Sequence, residues 1–475
     1  MSTSSLLGSL LGSSNSATSV DISSILEAAM GASTPGLDVT DAVSSAVSAA
    51  EGPENIWNAQ ITLLASETTA LTQIQTDTTN LDNDMQSLNS VTGPLSESAV
   101  TSSNSTVVTA TAASGTVAGN NTVVVTNLAS TASFTSTTVA NATAVLPTES
   151  FTITNSSGKA ATITTGGGVN TLTDLETAVN SAALGVTASI VTDTSGARLV
   201  LTSNTSGSAG SFTATSTGTS FDFGTAVSGL NASLTVNGIG ISSATNTVTG
   251  AVPGLTLNLL SASPATSVSL TVAPNTSAAT TAINQFVADY NAAIADLNTQ
   301  FTDTAGSGQG ALAQDPAIQN LQNTLEQAVD YTATPASGSV TTTVPNLTSL
   351  GISVSATGTL SVDSTTLNSV LQNHFGDVQN FFQGVSMNGF AGVLNQQLTS
   401  FISPSDGAFT VDLQSISTDS TGLQTDITSF QANVIAPLQT KLQSDFSQAE
   451  ILLQELPNEM KQIDTELGEN SNSGS

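Results

Sequence analysis

Cysteine is absent from the 475 residues, and cations nearly so: Lys159, Arg198, Lys441 and Lys461 are the only lysines and arginines. Without thiols there is no disulfide and no thiolate metal site. A chain of this length must then be held by packing or by assembly. Four scattered cations cannot make a basic patch, which excludes nucleic-acid binding and attraction to anionic lipid. No run reaches the roughly 20 apolar residues of a membrane span, so no membrane association is expected. Residues 1–19 lack both a positive start and a sustained apolar stretch, so export through a cleaved secretory signal is not expected. Aromatics make up only 4%, with one tryptophan and two tyrosines, leaving few rings to stack on a sugar.

Charge of either sign is rare. Charged residues are 8% of the chain, against about a quarter in an average globular domain. Those present are acidic: 35 against 4 basic, a formal net charge of −31. Hydrophobic residues reach 38% and long charged blocks are missing, so the chain can bury a core and wholesale disorder is not expected. Length alone suggests about three to four domains.

Helical patterns lie toward both ends and strand patterns in the middle. From Glu54 onward, Trp57, Leu64, Leu71 and Met85 recur at one heptad position and Ile74, Leu81 and Leu88 at the other, with Gln60, Glu67 and Thr78 interrupting the seam. Gly93-Pro94 marks the stop. Residues 101–148 and 223–288 carry no charge and are rich in β-branched residues, reading as strands of one β domain. Between them, Thr171 opens a short helix through Val179, and strands at 186–190 and 199–201 flank the turn Asp193-Thr194-Ser195-Gly196. The helical period then returns with Ile283, Val287, Tyr290, Ile294, Leu297 and Phe301. Asp315-Pro316 reads as an N-cap with Pro at the first helical position. A hairpin turns between Ile352 and Leu360, and Asp363 caps the helix after it.

The strongest helical signal comes last. Leu423, Ile427, Phe430 and Val434 make one seam, with a stutter at Pro437. Leu442, Phe446, Ala449, Leu453, Leu456, Met460, Ile463 and Leu467 then step by four and three without a break. Pro457 is expected to kink this helix. A stripe so apolar needs a partner: another copy, another chain or a chaperone.

Chemistry-bearing motifs are hard to find. His374 is the only candidate for a Ser-His-Asp arrangement, against the plainer reading of a helix C-terminal residue favoured by the dipole. Gly166-Gly167-Gly168 lacks phosphate-loop spacing, and Asn237-Gly238-Ile239-Gly240 precedes a strand, so it reads as a hairpin turn. Asp82 and Asp84 lack the rest of a calcium loop and read as a solvated helix face. No enzyme activity, cofactor or metal is expected. The scarcity of charge in the β segments fits an acidic exterior, where carboxylates titrate.

The fold expected is α+β, with helical coiled-coil legs from both termini enclosing nested β-rich insert domains. The partition expected is a terminal leg (1–45 with 435–475), a helical domain with a hairpin (46–95 with 278–434), a β domain (96–146 with 232–277) and an inserted β/α domain (147–231). Leu442, Phe446, Leu453, Leu456, Met460, Ile463 and Leu467 form the expected oligomer or partner interface. Ile283, Val287, Tyr290, Ile294 and Leu297 form the helical-domain seam.

In collinear order, residues 19–26, 106–128, 233–259, 283–297 and 350–371 resemble the flagellar filament cap protein family (FliD, hook-associated). Residues 180–203 resemble a module shared with flagellin variable domains. The resemblance implies a homo-oligomeric ring of about four to six subunits at the filament tip. It also implies flagellin as partner, an export chaperone on the C-terminal helix, no cofactor, and passage through the flagellar type III apparatus without a cleaved signal. An extracellular adhesin or surface-layer subunit is the alternative. It accounts for the Thr/Ser-rich strands but not for the heptads near both ends.

Overall fold

A computed structural model of the protein describes residues 39–470 except 225, 303–308, 334–342 and 385. The stretch 19–26 lies outside the described residues. The protein is an α+β chain. Its helices are α1 (Val39–Ala50), α2 (Gly52–Asn89), α3 (Leu172–Ser181), α4 (Thr276–Phe301), α5 (Pro316–Val329), α6 (Ser364–Asn373), α7 (Phe375–Gln383), α8 (Phe390–Ile402), α9 (Ala408–Phe430) and α10 (Ala436–Asn470).

The chain divides into two compact units, one of Met1–Asn80, Asn291–Glu326 and Gln397–Ser475, the other of Leu81–Tyr290 and Gln327–Gln396. In the first unit, helical stripes supply the core: Leu64, Leu71 and Ile74 from α2, Ala293, Ile294 and Leu297 from α4, and Ile318, Leu321 and Leu325 from α5 are all buried. Thr78, a polar break in the α2 seam, is buried too, because its hydroxyl donates to the Ile74 carbonyl at 2.7 Å. Asp315 launches α5 as expected, its Oδ1 accepting from the Ala317 amide at 2.7 Å. Trp57 meets Phe430 edge-on at 5.5 Å, and Gln431 donates to Glu54 at 2.8 Å.

The expected seam through Val434 needs correction. Gln431–Ile435 is a π-helical turn between α9 and α10. Its wider winding absorbs one extra residue, so Ile435 is buried (8% exposed) and Val434 faces out (45%). The stripe runs Ile427, Phe430, Ile435, Leu438, Leu442. Pro437 follows the π turn, and Pro457 lies inside the continuous helix α10.

In the second unit, alternation of apolar and polar residues builds the sheets. Strands β1 (Ser98–Ser102), β3 (Gly119–Asn127), β10 (Ala232–Val236), β11 (Ile239–Ser243) and β14 (Val268–Pro274) form a sheet in the order β1-β14-β3-β10-β11. A second sheet joins β2 (Val108–Ala112), β12 (Thr247–Thr249) and β13 (Leu255–Leu259). One apolar core, including Val123, Val125, Leu234, Leu257 and Leu270, draws on both. The β10–β11 turn places Asn237 at φ 51° and Gly238 at φ 82°, the conformation an Asn-Gly hairpin favours.

A separate core lies within residues 132–223. Strands β4 (Thr131–Thr135), β7 (Val186–Asp193) and β8 (Gly196–Ser206) make one sheet, and β5 (Ser150–Asn155), β6 (Ala160–Thr164) and β9 (Phe212–Ser216) another. Helix α3 opens on a capping box between Thr171 and Asp174 and buries Leu172, Leu175 and Val179. Glu149 is buried, but its carboxylate accepts from the Ser216 hydroxyl and the Ser220 and Phe221 amides.

The helical part of this unit packs on rings. Phe286 and Tyr290 of α4, Phe381 and Phe382 of α7, and Phe390 of α8 are all buried. Tyr331 joins them, 5.7 Å from both Phe381 and Phe390. The predicted hairpin is β15 (Ile352–Val354) with β16 (Leu360–Val362), and Asp363 caps α6.

Candidate assembly surface and buried carboxyl pairs

Helix α10 carries seven residues of the expected interface, and the structure divides them. Leu442 and Phe446 are half-buried on the part of α10 whose unit also holds α1, which packs along α10 and buries Ala42, Val43 and Ala46. Leu456, Met460 and Ile463 are 48%, 62% and 54% exposed. Ile451 and Leu452, absent from the expected seam, are exposed as well and widen the stripe. The side chains of Leu453 and Leu467 lie outside what is described. A run of large apolar side chains in water is a mark of an interaction surface.

Ile283, Val287, Tyr290, Ile294 and Leu297 are all buried within the protein itself. They are core positions of α4 and present nothing to a second chain.

Asp82 and Asp84 overturn the expectation of a solvated face. Asp82 is only 4% exposed, and its carboxylate accepts from Gln86 and from Asn395 of α8, both at 2.7 Å. Asp84 is half-buried within hydrogen-bonding reach of Asp289 on α4. In the other unit, Asp296 of α4 meets Asp77 of α2 in the same manner. The same spacing precedes both pairs: Gln73, Asp77 and Asp84 on α2 repeat as Gln285, Asp289 and Asp296 on α4. Gln73 donates to Asp77 at 3.2 Å and Gln285 to Asp289 at 2.9 Å. Burial, reinforced by Asp289, pushes the Asp84 carboxyl up to about 7. Burial and then Asp77 push Asp296 up to about 6. This repeated Gln-x3-Asp-x6-Asp spacing was the signal available in the sequence.

His374 ends α6 and begins α7, its amide donating to Val370 at 2.7 Å and its Nδ1 3.9 Å from Asp377. No serine joins them in a relay among the contacts described. Gly166 and Gly168 lie at positive φ in a loop. Among the described residues no group of three or more His, Cys, Asp or Glu is placed to hold a metal ion, and no helix is long and apolar enough to cross a membrane.

The last helix of this α+β chain leaves an apolar stripe bare, the mark of an interaction surface rather than of a reactive centre. The N-terminal sequence profile of flagellar hook-associated protein 2 matches residues 35–132, and its C-terminal profile matches residues 229–458. The chain is 27% identical over 326 residues to the B-type flagellar hook-associated protein 2 of Pseudomonas aeruginosa, a match covering 62% of this chain and 66% of that relative. It is 27% identical over 177 residues to the A-type protein of Pseudomonas aeruginosa, covering 36% of this chain and 35% of that one. The chain thus spans just under two thirds of the B-type relative's length and about a third of the A-type's. The crystal structure of the D1-D2-D3 domains of the flagellar cap protein FliD from Escherichia coli is similar, with a TM-score of 0.56 and 25% identity, covering 73% of this chain and 99% of that one. The chain belongs to the flagellar hook-associated protein 2 (FliD) family, whose members are structural proteins and not enzymes.

Proposed function

We propose that the protein is a structural cap at the distal tip of a bacterial flagellar filament, where it assembles into a ring and promotes the addition of flagellin. Family membership supports the location, and the exposed stripe Ile451, Leu452, Leu456, Met460 and Ile463 carries the assembly argument. In this reading the stripe is the leg that meets other subunits or flagellin, and before export a cytoplasmic chaperone covers it. The partition into terminal leg, helical domain, β domain and inserted β/α domain is part of the same proposal. So is passage through the flagellar type III apparatus without a cleaved signal. The adhesin or surface-layer alternative finds no support in the family matches.

The stripe also sharpens the test. Truncation after Glu450 removes the exposed segment but keeps the half-buried Leu442 and Phe446. The shortened chain is expected to fold, to remain monomeric in light scattering, and to fail to restore filaments in cells lacking the gene. Flagellin would then spill into the medium. Normal rings and full-length filaments from the truncated chain would overturn the leg assignment.

A further inference from the structure

Each of the two carboxyl pairs has an oxygen with nothing to bond. Oδ2 of Asp84 and Oδ2 of Asp296 are buried and meet no N–H or O–H donor. An ionised oxygen in that position bears the full cost of desolvation. Their neighbours differ: Asp289 accepts from Gln285, and Asp77 from Gln73. A proton on the bare oxygen resolves the contact. The acid then donates, and the amide-held carboxylate accepts, as two carboxyls side by side require. We propose that the helical parts of this protein form an acid-tightened device, in which Asp84–Asp289 and Asp77–Asp296 each share one proton and the fold loosens as that proton is lost.

Among the described ion pairs no cation stands beside either carboxyl pair. Asp289 is the ionisable group facing Asp84 from α4, and Asp82, two residues earlier on α2, is itself held by Gln86 and Asn395. Asp77 is the ionisable group facing Asp296 from α2; Gln73 also reaches Asp296 and favours its ionised form, but burial and Asp77 outweigh it. The ion pairs described are Arg198–Asp193, His374–Asp377 and Lys441–Asp445, and none involves these four carboxyls. A second acidic group reinforces the first unit. Glu67 of α2 is raised by burial and by Asp315 and Asp419, and Asp412 of α9 by burial and by Asp315. Protonation therefore relieves repulsion throughout the helical parts.

The direction follows from linkage. In the unfolded chain an aspartate loses its proton near 3.8, whereas Asp84 holds it to about 7 and Asp296 to about 6. Between about pH 4 and pH 7 the folded chain thus binds more protons than the unfolded one, and stability falls as pH rises across that window. This rests on the carboxyl pairs alone and is independent of the cap reading.

Trp57 is the only tryptophan, packed on Phe430 in the unit that holds Asp77 and Asp296, so its fluorescence reports unfolding of that unit. In urea, the wild-type midpoint is expected to fall by on the order of 0.5–1 M from pH 5 to pH 8. Asp296→Asn retains a donor toward Asp77 with no proton to lose. Its midpoint should fall less and should exceed that of the wild type at pH 8. Asp193→Asn, at an exposed site, should leave the wild-type slope unchanged. For the other unit, Asp84→Asn should slow hydrogen exchange in peptides from 81–89 and 276–290 at pH 8 relative to the wild type. A wild-type midpoint that is flat or rises from pH 5 to pH 8, or an Asp296→Asn slope equal to wild type, overturns the proposal. Should a variant fail to fold, selectively labelled aspartate carboxyls of the wild type decide. Two of them titrating well above pH 5 in the folded chain supports it, and all titrating below that overturns it.

Discussion

Phe286 is fully buried, with ring centroids 5.5 Å from Phe390, 6.1 Å from Tyr290 and 6.5 Å from Phe382. In a chain with 4% aromatics this cluster concentrates much of the large apolar surface. Phe286→Ala leaves a cavity whose walls are rings fixed on α4, α7 and α8, which cannot collapse freely. A loss of about 3–5 kcal/mol is expected, read from urea unfolding monitored by far-UV circular dichroism. Only part of this cluster was legible. Tyr290 lies on a heptad seam, but Phe286 lies one residue off it. Phe381, Phe382 and Phe390 occupy helices that the heptad pattern does not mark. The carboxyl pairs were missed for a related reason. An aspartate on a helix looks solvated until the facing helix is known, and Asp289 and Asp296 lie more than 200 positions from their partners.

Among the elements, the π turn Gln431–Ile435 decides which residues of the last two helices face inward. Asn433 is exposed within it. Deleting Asn433 removes the extra residue, so that Ile435 follows Phe430 by four and the stripe Ile427, Phe430, Ile435, Leu438 keeps its face in a regular helix. The deletion is expected to retain the Trp57–Phe430 contact and to unfold within about 1 kcal/mol of the wild type, by Trp57 fluorescence in urea. Loss of folding would mean that the π turn itself is required. From sequence the phase shift shows as a stutter, but spacing alone placed it at Pro437. Elements defined by local chemistry were legible: Asp315-Pro316 opening α5, Thr171 opening α3, the Asn237-Gly238 turn and the β15–β16 hairpin each depend on residues within a few positions. Helix α1 was not foreseen, because its Ala- and Ser-rich stripe is weak and becomes a packing face only against α10.

Across the whole molecule, a formal charge of −31 with four cations means that self-repulsion opposes the compact state at neutral pH. Raising sodium chloride from about 0.05 to 0.5 M shortens the screening length from roughly 14 to 4 Å. The thermal midpoint at pH 7.5 is expected to rise over that range. At pH 4.5, where many carboxyls are neutral, the same salt should have much less effect. Differential scanning calorimetry at the two pH values checks this, and equal salt responses would count against charge repulsion. Exposed carboxylates respond to salt. The buried pairs are shielded from ions, so their pH dependence should persist in 0.5 M salt.

By itself the sequence determined the absence of disulfides and basic surfaces, the helical character toward both ends, the strand character between, and the family resemblance. All of these depend on composition, on short-range periodicity, or on turn and cap chemistry within a few residues. The tertiary structure decided the rest. It determined that the α4 seam is core, that only the later part of the α10 stripe stays bare, and that aspartates on two helices meet without a cation between them. Those outcomes depend on which faces distant segments turn toward each other, and a helix's own periodicity marks an apolar face without naming what covers it.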